Sequence, residues 1–544
     1  MPLFDSDKEA AADIIRTHEQ LARRRGTWEG QWEEIAKRIY PNHSNYFRNR
    51  QIQTTKGDAR TEELYDSTAA IALNRFAAIL DSLLTPRNQT WHRLLATDPE
   101  LNKDRQVRLW YEDVTRLLFK FRYAPKANFA SQNQLNYKSL GAFGSGALFI
   151  DPLMDEPGLR YKNCHLGEVY FMENHQGIID VVIRHFPMTA RQVVQKWGRD
   201  KSPSAIVAAM ERDPDKEFFF IHYVAPNLKR DPSRADFRGM PYASYYVSVE
   251  HKEIMEQGGY TTFPYATSRY EQAPTEVYGR SPAMEVLPAI KTLNEQKKTI
   301  LKQGHRAVDP IILVHDDGIL DSFNMRPGSI NAGGVSKDGR PLVHTLPGGN
   351  VQAGKELMDD ERAVINDTFL VTIFQILVDT PAMTATEVME RTREKGILLA
   401  PTIGRQQSER LGPQIERELD ILNRLGLLPT MPPILQELGA DFKVEYDSPL
   451  SRAQRAEEAG GLLRTVESTL GVVNVTGDPA PLDHFNWDVI IPELSDINAV
   501  PVRWRHDLKT IQDMRSGRAQ AAQKQQLIEA APAVAGLVKT TQGG

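Results

Sequence analysis

The residues best spaced for chemistry lie between Gly349 and Glu356. Gly349-Asn-Val-Gln-Ala-Gly354-Lys355-Glu356 follows the pattern of a phosphate-binding loop as far as the lysine. In such a loop backbone N–H groups cradle phosphates, and a closing Ser or Thr hydroxyl holds magnesium. Glu356 occupies that last position and would set a carboxylate beside the phosphates. The stretch therefore reads as a loop leading into a helix. A second glycine-rich run, GAFGSGALFI at 141–150, precedes a strand, whereas a dinucleotide fingerprint follows a strand and opens a helix. Ser145 lacks the Gly-x-Ser-x-Gly setting of a nucleophile elbow, so this run reads as a tight helix-to-strand turn. The 13 histidines form no HExxH pair and no Cys/His cluster with zinc spacing. Cys164 and His165 are adjacent, and neighbours on a strand face opposite sides. The charges of ERTREK (390–395) and IERELD (415–420) read as solvated helix faces, with Glu387–Arg391 and Asp420–Arg424 spaced to pair one turn apart. No catalytic residue, metal site or cofactor is expected.

Composition narrows the class. The chain has 544 residues, 25% charged and 41% hydrophobic, enough for several domains with packed cores. One cysteine, Cys164, permits no intrachain disulfide and fits a reducing compartment. The N-terminal MPLFDSDKEAAAD lacks the basic-then-apolar order of a signal peptide. The most apolar run, AVINDTFLVTIFQILV (363–378), is interrupted by Asn366 and Asp367 and is too short to span a bilayer, so it reads as a buried helix and no membrane partner is expected. A net charge of −5 argues against a protein that grips DNA tightly, because such binding neutralises phosphates. It does not exclude one that lets DNA pass.

The hydrophobic periods define a mainly helical α+β chain. Ile14, Leu21, Trp28 and Ile35 recur every seven residues, predicting one amphipathic helix over 7–40 that stops at Pro41. Further helices are predicted over 60–85 and, with a break near Pro125, over 101–143. Residues 145–280 carry alternating, aromatic-rich runs that predict strands, interrupted by short helices near 189–198 and 203–212. From Ser281 the helical pattern returns, with Val286, Ile290, Leu293 and Ile300 on one side and Pro282 near the first position. Residues 308–350 read as short strands and turns, including a hairpin turn at Asp317-Gly318, and a further helix spans 355–378. After a break at Asp379-Thr380-Pro381, residues 383–429 form a long helix. Thr384 and Glu387 supply its capping box, Pro401 and Pro413 bend it, and Leu411, Ile415, Leu419, Leu422 and Leu425 stripe it. DFKVEY (441–446) predicts a strand, and helices follow at 451–470 and 505–530.

Several blocks, in order and over most of the chain, resemble the portal proteins of short-tailed phages. They are ELYDSTAAIALNRFAAILDSLLTPRNQTWHRL (63–94), VYGRSPAMEVLPAIKTLNEQKK (277–298), DPIILVHDDGIL (309–320), RPGSIN (326–331), the stretch from Thr384 to Pro429, KVEYDSPLSRAQR (443–455) and DMRSGRAQAAQKQQ (513–526). The resemblance implies a portal-like architecture: wing 1–280, stem helices 281–306 and 355–378, clip 307–354, channel loop 379–383, a kinked long helix with a strand returning to the wing over 384–445, and crown with C-terminal tail over 446–544. It implies a ring of twelve subunits at one capsid vertex, through which double-stranded DNA is packaged and ejected. The implied partners are the major capsid protein, the terminase large subunit, the tail adaptor and scaffold or internal core proteins. The implied location is the virion, after assembly in the host cytoplasm. By position, Asp379, Thr380, Pro381, Ala382 and Met383 would form the channel loop. Asp309, Pro310, Ile311, Asp316, Asp317 and Gly318 would meet adaptor and terminase. The alternatives are another non-enzymatic helical virion adaptor and a packaging ATPase, the second disfavoured by Glu356.

Overall fold

The computed structural model describes residues 7–47, 57, 60–314, 324, 326–346, 351–372, 400–438, 441–447, 449–497, 500–507 and 509–524. With 54% helix and 18% strand the chain is α+β and mainly helical. Among the described residues no helix is long and apolar enough to cross a membrane. The chain divides into two compact units, Met1–Arg87 with Arg122–Leu425, and Asn88–Phe121 with Gly426–Gly544. Residues 88–121 thus separate from the rest of 1–280, a division that a linear reading of the elements does not contain.

In chain order the helices used below are α1 (Asp7–Arg24), α2 (Gly26–Ile39), α3 (Thr68–Leu84), α4 (Arg105–Arg122), α5 (Phe129–Phe143), α6 (Ala190–Trp197), α7 (Ser204–Arg212), α8 (Pro282–Val308), α9 (Val351–Thr368) and α10 (Gly412–Arg424). The strands are β1 (His92–Ala96), β2 (Ser145–Pro152), β3 (Leu159–Cys164), β4 (Val169–Glu173), β5 (Ile179–Thr189), β6 (Glu217–Pro226), β7 (Tyr242–Ser248), β8 (Glu253–Tyr260), β9 (Tyr265–Arg269), β10 (Ile312–Val314), β11 (Val343–Thr345) and β12 (Phe442–Tyr446).

In the first unit β4 to β8 form an antiparallel meander. The period of two sends Phe218 and Phe220 to one face, under Val193 and Trp197 of α6 and Ile206 of α7. It sends Ile221 and Tyr223 to the other face, under Ala11 and Ile14 of α1. A second sheet has the order β3-β2-β9. The turn into β2 is tight, as the glycine run predicts. Gly144 has φ +78, and a Cβ there would meet Gly279 O at 2.1 Å. Ser145 is fully buried and its hydroxyl accepts from the N–H of Gly279 at 2.8 Å, a structural rather than nucleophilic use.

The predicted single helix over 7–40 is two helices, broken at Arg25. That side chain, 2% exposed, donates to the carbonyls of Leu166, Gly167 and Val169, pairs with Glu29 and lies over the Tyr170 ring at 3.6 Å. A guanidinium so buried needs acceptors from another segment, and the turn before β4 supplies them.

The segment 400–424 corrects a second expectation. IERELD is not a solvated face: Arg417 and Glu418 are buried, as are Gln406, Arg410 and Gln414, while Glu416 is exposed. Glu418 pairs with Arg122 and accepts from Tyr161 (2.7 Å) and Gln414 (2.8 Å). Arg417 bonds Asp420 at 3.0 Å and lies over Tyr260. Arg410 bonds Asn133 and lies over Tyr137. Burial, and then the Glu418 carboxylate, push the Tyr161 phenol well above its ordinary value, so it remains a donor. The predicted pair Asp420–Arg424 is present at 3.9 Å; Glu387–Arg391 lies outside the described residues. The ladder turns from α to π over Gln407–Leu411, ending two residues before Pro413. The widened turn moves the carbonyls that a proline ring would strike in an α register. It also aims Glu409 at Arg269, which Glu173 pairs from its other side.

The second unit pairs β1 with β12 in antiparallel register, His92 opposite Tyr446. Strand β12 is expected from DFKVEY; β1 is not, its residues falling between the helices expected over 60–85 and 101–143. Helix α4 covers this pair, with Val107, Tyr111, Val114 and Leu118 buried. Asp496 joins Arg108 and Arg505, each at 2.6 Å.

Two outcomes are expected. Glu418→Ala leaves Arg122 charged and buried, and should cost roughly 3–5 kcal/mol in urea unfolding, whereas Arg122→Met with Glu418→Leu should cost much less. Burial, then the cations Arg60 and Lys138, push the His43 imidazole from 6.5 down to about 4. The unfolded chain therefore takes up the proton first as the pH drops. The stability due to His43 is complete above about 6.5 and is lost as the pH falls toward 4. His43→Phe should flatten that part of a stability profile measured by chemical denaturation.

Candidate functional site

The near-match to a phosphate loop resolves into a helix–helix contact. Residues from Val351 onward, including Gly354, Lys355 and Glu356, are already helical in α9. A Cβ on Gly354 would stand 2.8 Å from Cδ1 of Ile300, so the glycine lets α9 approach α8 closely. Lys355 and Glu356 are exposed. Gly349 and Asn350 lie outside the described residues, and from Val351 on the segment is the first turn of α9 rather than an open loop, with Glu356 where a magnesium-holding hydroxyl would be needed.

Helix α8 starts inside the unit and outruns its cover. Ser281 caps it, its hydroxyl accepting from Met284 N at 3.1 Å, with Pro282 in the first turn. Val286, Ile290 and Leu293 are buried, as their spacing predicts. Beyond Asn294 no residue of α8 is buried; Leu301 is 44% and Val308 89% exposed. Helix α9 buries one stripe, Met358 and Ile365, and leaves Leu357 57% and Val364 50% exposed. The expected run to 378 is interrupted: α9 ends at Thr368, and Leu370 has φ +63. Phe369 is nonetheless buried.

The junction of the pair is clasped by polar groups. The Asn294 side chain accepts from Tyr65 N (2.8 Å) and Asp66 N (3.3 Å) and donates to Glu63 O (2.8 Å). The Asp66 carboxylate receives Arg362 of α9 at 2.7 Å. Its pKa is lowered, burial opposing hydrogen bonds from Thr68 and Arg362 that win. Segment 63–66 thus holds both helices. None of these residues stood out in the sequence; the one available signal was an asparagine on the buried side of α8.

Between α8 and α9 the described residues form no core of their own. Asp309 caps the helix, its N–H bonding His305 O at 2.8 Å, and Pro310 prevents continuation. Strand β10 then pairs with β11, Ile312 opposite Thr345, and Leu346 N bonds Ile311 O at 2.9 Å. Residues 324–331 are tied by side chains to backbone, with Asn331 both accepting from and donating to Asn324. Among the described residues of 309–346 none is buried, and Ile330 is 96% and Val335 61% exposed. The structure brings Asp309, Pro310 and Ile311 together at the root of this hairpin. Asp316, Asp317 and Gly318 lie outside the described residues, as do Asp379, Thr380, Pro381, Ala382 and Met383.

Among the described residues this geometry presents surface and brings together no reaction centre. Among the described residues no group of three or more His, Cys, Asp or Glu could hold a metal. Cys164 is buried, and His165 stacks on His43 at 4.7 Å while its Nδ1 accepts from Gly167 N.

Comparison with known proteins agrees with a presenting role. Residues 11–504 match the family model described as bacteriophage head to tail connecting protein. The chain is 28% identical over 521 residues to a probable portal protein of Bordetella phage BPP-1, covering 94% of this chain and 92% of that one. It is 26% identical over 555 residues to the portal protein of Salmonella phage epsilon15, covering 99% and 97%.

Replacing Asn294 by Ala removes the acceptor for two N–H groups and should cost about 1–3 kcal/mol. Hydrogen exchange should then accelerate over 63–66 and the first turns of α9 while β5 to β7 keep their protection.

Proposed function

The chain belongs to the bacteriophage head-to-tail connecting proteins, and from that premise we propose that it acts as a portal. Twelve copies close into a ring at one capsid vertex, and the ring is the conduit for double-stranded DNA during packaging and ejection. It contacts the major capsid protein and the scaffold or internal core, seats the terminase large subunit, and later holds the tail adaptor. Assembly takes place in the host cytoplasm and the protein remains in the virion. It performs these tasks without catalysis.

The observation that carries this reading is the uncovered apolar surface of α8, α9 and the β10–β11 hairpin. Exposed Leu301, Val308, Leu357, Val364 and Ile330 lie in one continuous excursion of the chain. An excursion of this size cannot bury them alone. Neighbouring copies would cover the helices, and motor or adaptor would meet the hairpin. On this reading Asp309 to Ile311, with Asp316 to Gly318, form the contact site, and Asp379 to Met383 form the channel loop. The packaging-ATPase reading loses its support where the candidate loop is helical from Val351 on.

Purified full-length protein should form rings in negative stain, with a mass near twelve times 61.4 kDa, and should show no ATP hydrolysis above background. Lone subunits at high concentration would contradict the proposal. Ile311→Asp with Leu313→Asp should leave rings intact and abolish capture of terminase and adaptor.

A further inference from the structure

We propose that the exposed sides of α8 and α9 are two halves of one self-interface, the cationic face of α8 receiving the acidic face of α9 from a second copy of this chain. The inference rests on the ring reading above and names the forces that set which surfaces of neighbouring copies meet.

The two helices carry opposite charge. Over 295–306 Lys297, Lys298, Lys302 and Arg306 are opposed only by Glu295, a net of +3 with histidine neutral. Helix α9 sets five carboxylates against Lys355 and Arg362, a net of −3. These charges are interleaved with the uncovered apolar side chains. Leu357, Asp360, Val364 and Asp367 fall at spacings of three and four and share one side of α9. Leu301, His305 and Val308 do the same on α8, flanked by Lys302 and Arg306. In one copy Leu301, Lys302, His305, Arg306 and Val308 of α8 and Leu357, Asp360, Val364 and Asp367 of α9 are exposed, while Lys297 and Lys298 are half-buried, Lys298 lying 3.8 Å from Glu295.

Within one chain the charges do not serve each other. Where α8 and α9 touch, the contact is Ile300 on Gly354, and among the described residues no ion pair joins the two helices. The faces therefore remain complementary and unspent. A two-fold contact of α8 on α8 would oppose cations, and α9 on α9 would oppose carboxylates. A contact of α8 of one copy on α9 of another satisfies both; made reciprocally it gives a two-fold dimer, and made heterologously, as the ring reading requires, its repetition closes a ring or runs on as a filament. Apolar residues supply adhesion, and the charges exclude the wrong pairing.

The test uses the full chain, with oligomeric state read by mass photometry and negative stain. One variant carries Lys302→Glu and Arg306→Glu, a second carries Glu356→Lys and Asp360→Lys, and a third carries all four. Each two-site variant alone should lose rings by about tenfold or more at low salt. An equimolar mixture should regain them, because alternating copies restore every contact, and the four-site variant should assemble alone. Rescue by mixing also shows that the variants are folded. Rings from either two-site variant at the level of the parent chain, or no rescue in the mixture, would overturn the pairing. If the first variant assembles normally but no longer retains duplex DNA, the α8 cations serve the duplex and the pairing is wrong. If the parent forms open filaments that the same reversals abolish and mixing restores, the pairing stands and the ring reading falls.

Discussion

A helix can bury only the arc that something faces, and in the second half of α8 little but α9 faces it. That constraint organises the molecule. Val286, Ile290 and Leu293 are covered where α8 lies within the unit. Farther along, with the same amphipathic composition, Leu301 and Val308 are not. A chain that spends long helices in this way needs either a second element of its own or another copy. The described residues offer no second element, and the uncovered arc is where the proposed assembly would act.

The remainder of the first unit reads as the rigid mount that such a surface requires. Its stiffness comes from buried charges that demand partners from distant segments. Arg25 draws the turn at 166–169 onto the N-terminal helices. Arg122 and Glu418 meet across 296 residues of sequence. Arg269 is held between Glu173 and Glu409. Each of these ions is costly if its partner moves, because a lone charge in the interior loses its hydration without compensation. Asn294 and the Asp66–Arg362 pair extend the same logic to the junction of α8 and α9. Orientation of the exposed faces therefore depends on polar contacts, while in the proposed assembly adhesion between faces would depend on apolar ones.

The patterns that were legible in the sequence are those set by local periodicity. The strands within 145–280, the buried stripe of α8, the tight turn at Gly144 and strand β12 all follow from spacing alone, whereas the pairing order of β4 to β8 does not. What escaped has a non-local cause. Strand β1, between the two expected helices, gives no signal of its own because its partner lies about 350 residues away. IERELD looks solvated because nothing nearby announces Arg122 and Tyr161. The break at Arg25 follows from carbonyls contributed by 166–169, and the one at Leu370 has no signal such as Gly or Pro at the site itself. The same holds for the candidate site: the hairpin root at Asp309-Pro310 is visible from helix-stop chemistry, whereas the clasp at Asn294 depends on segment 63–66. The resemblance of ordered blocks identified the family that near full-length similarity to two portal proteins supports.

The central claim is that the faces left bare on α8 and α9 in one copy are covered by another. The most direct measurement is hydrogen–deuterium exchange of the full chain, dilute and assembled, resolved to 295–308 and 351–364. Assembly should slow exchange over both segments together and leave β5 to β7 unchanged. Assembled particles in which both segments exchange as fast as in the lone subunit would contradict it.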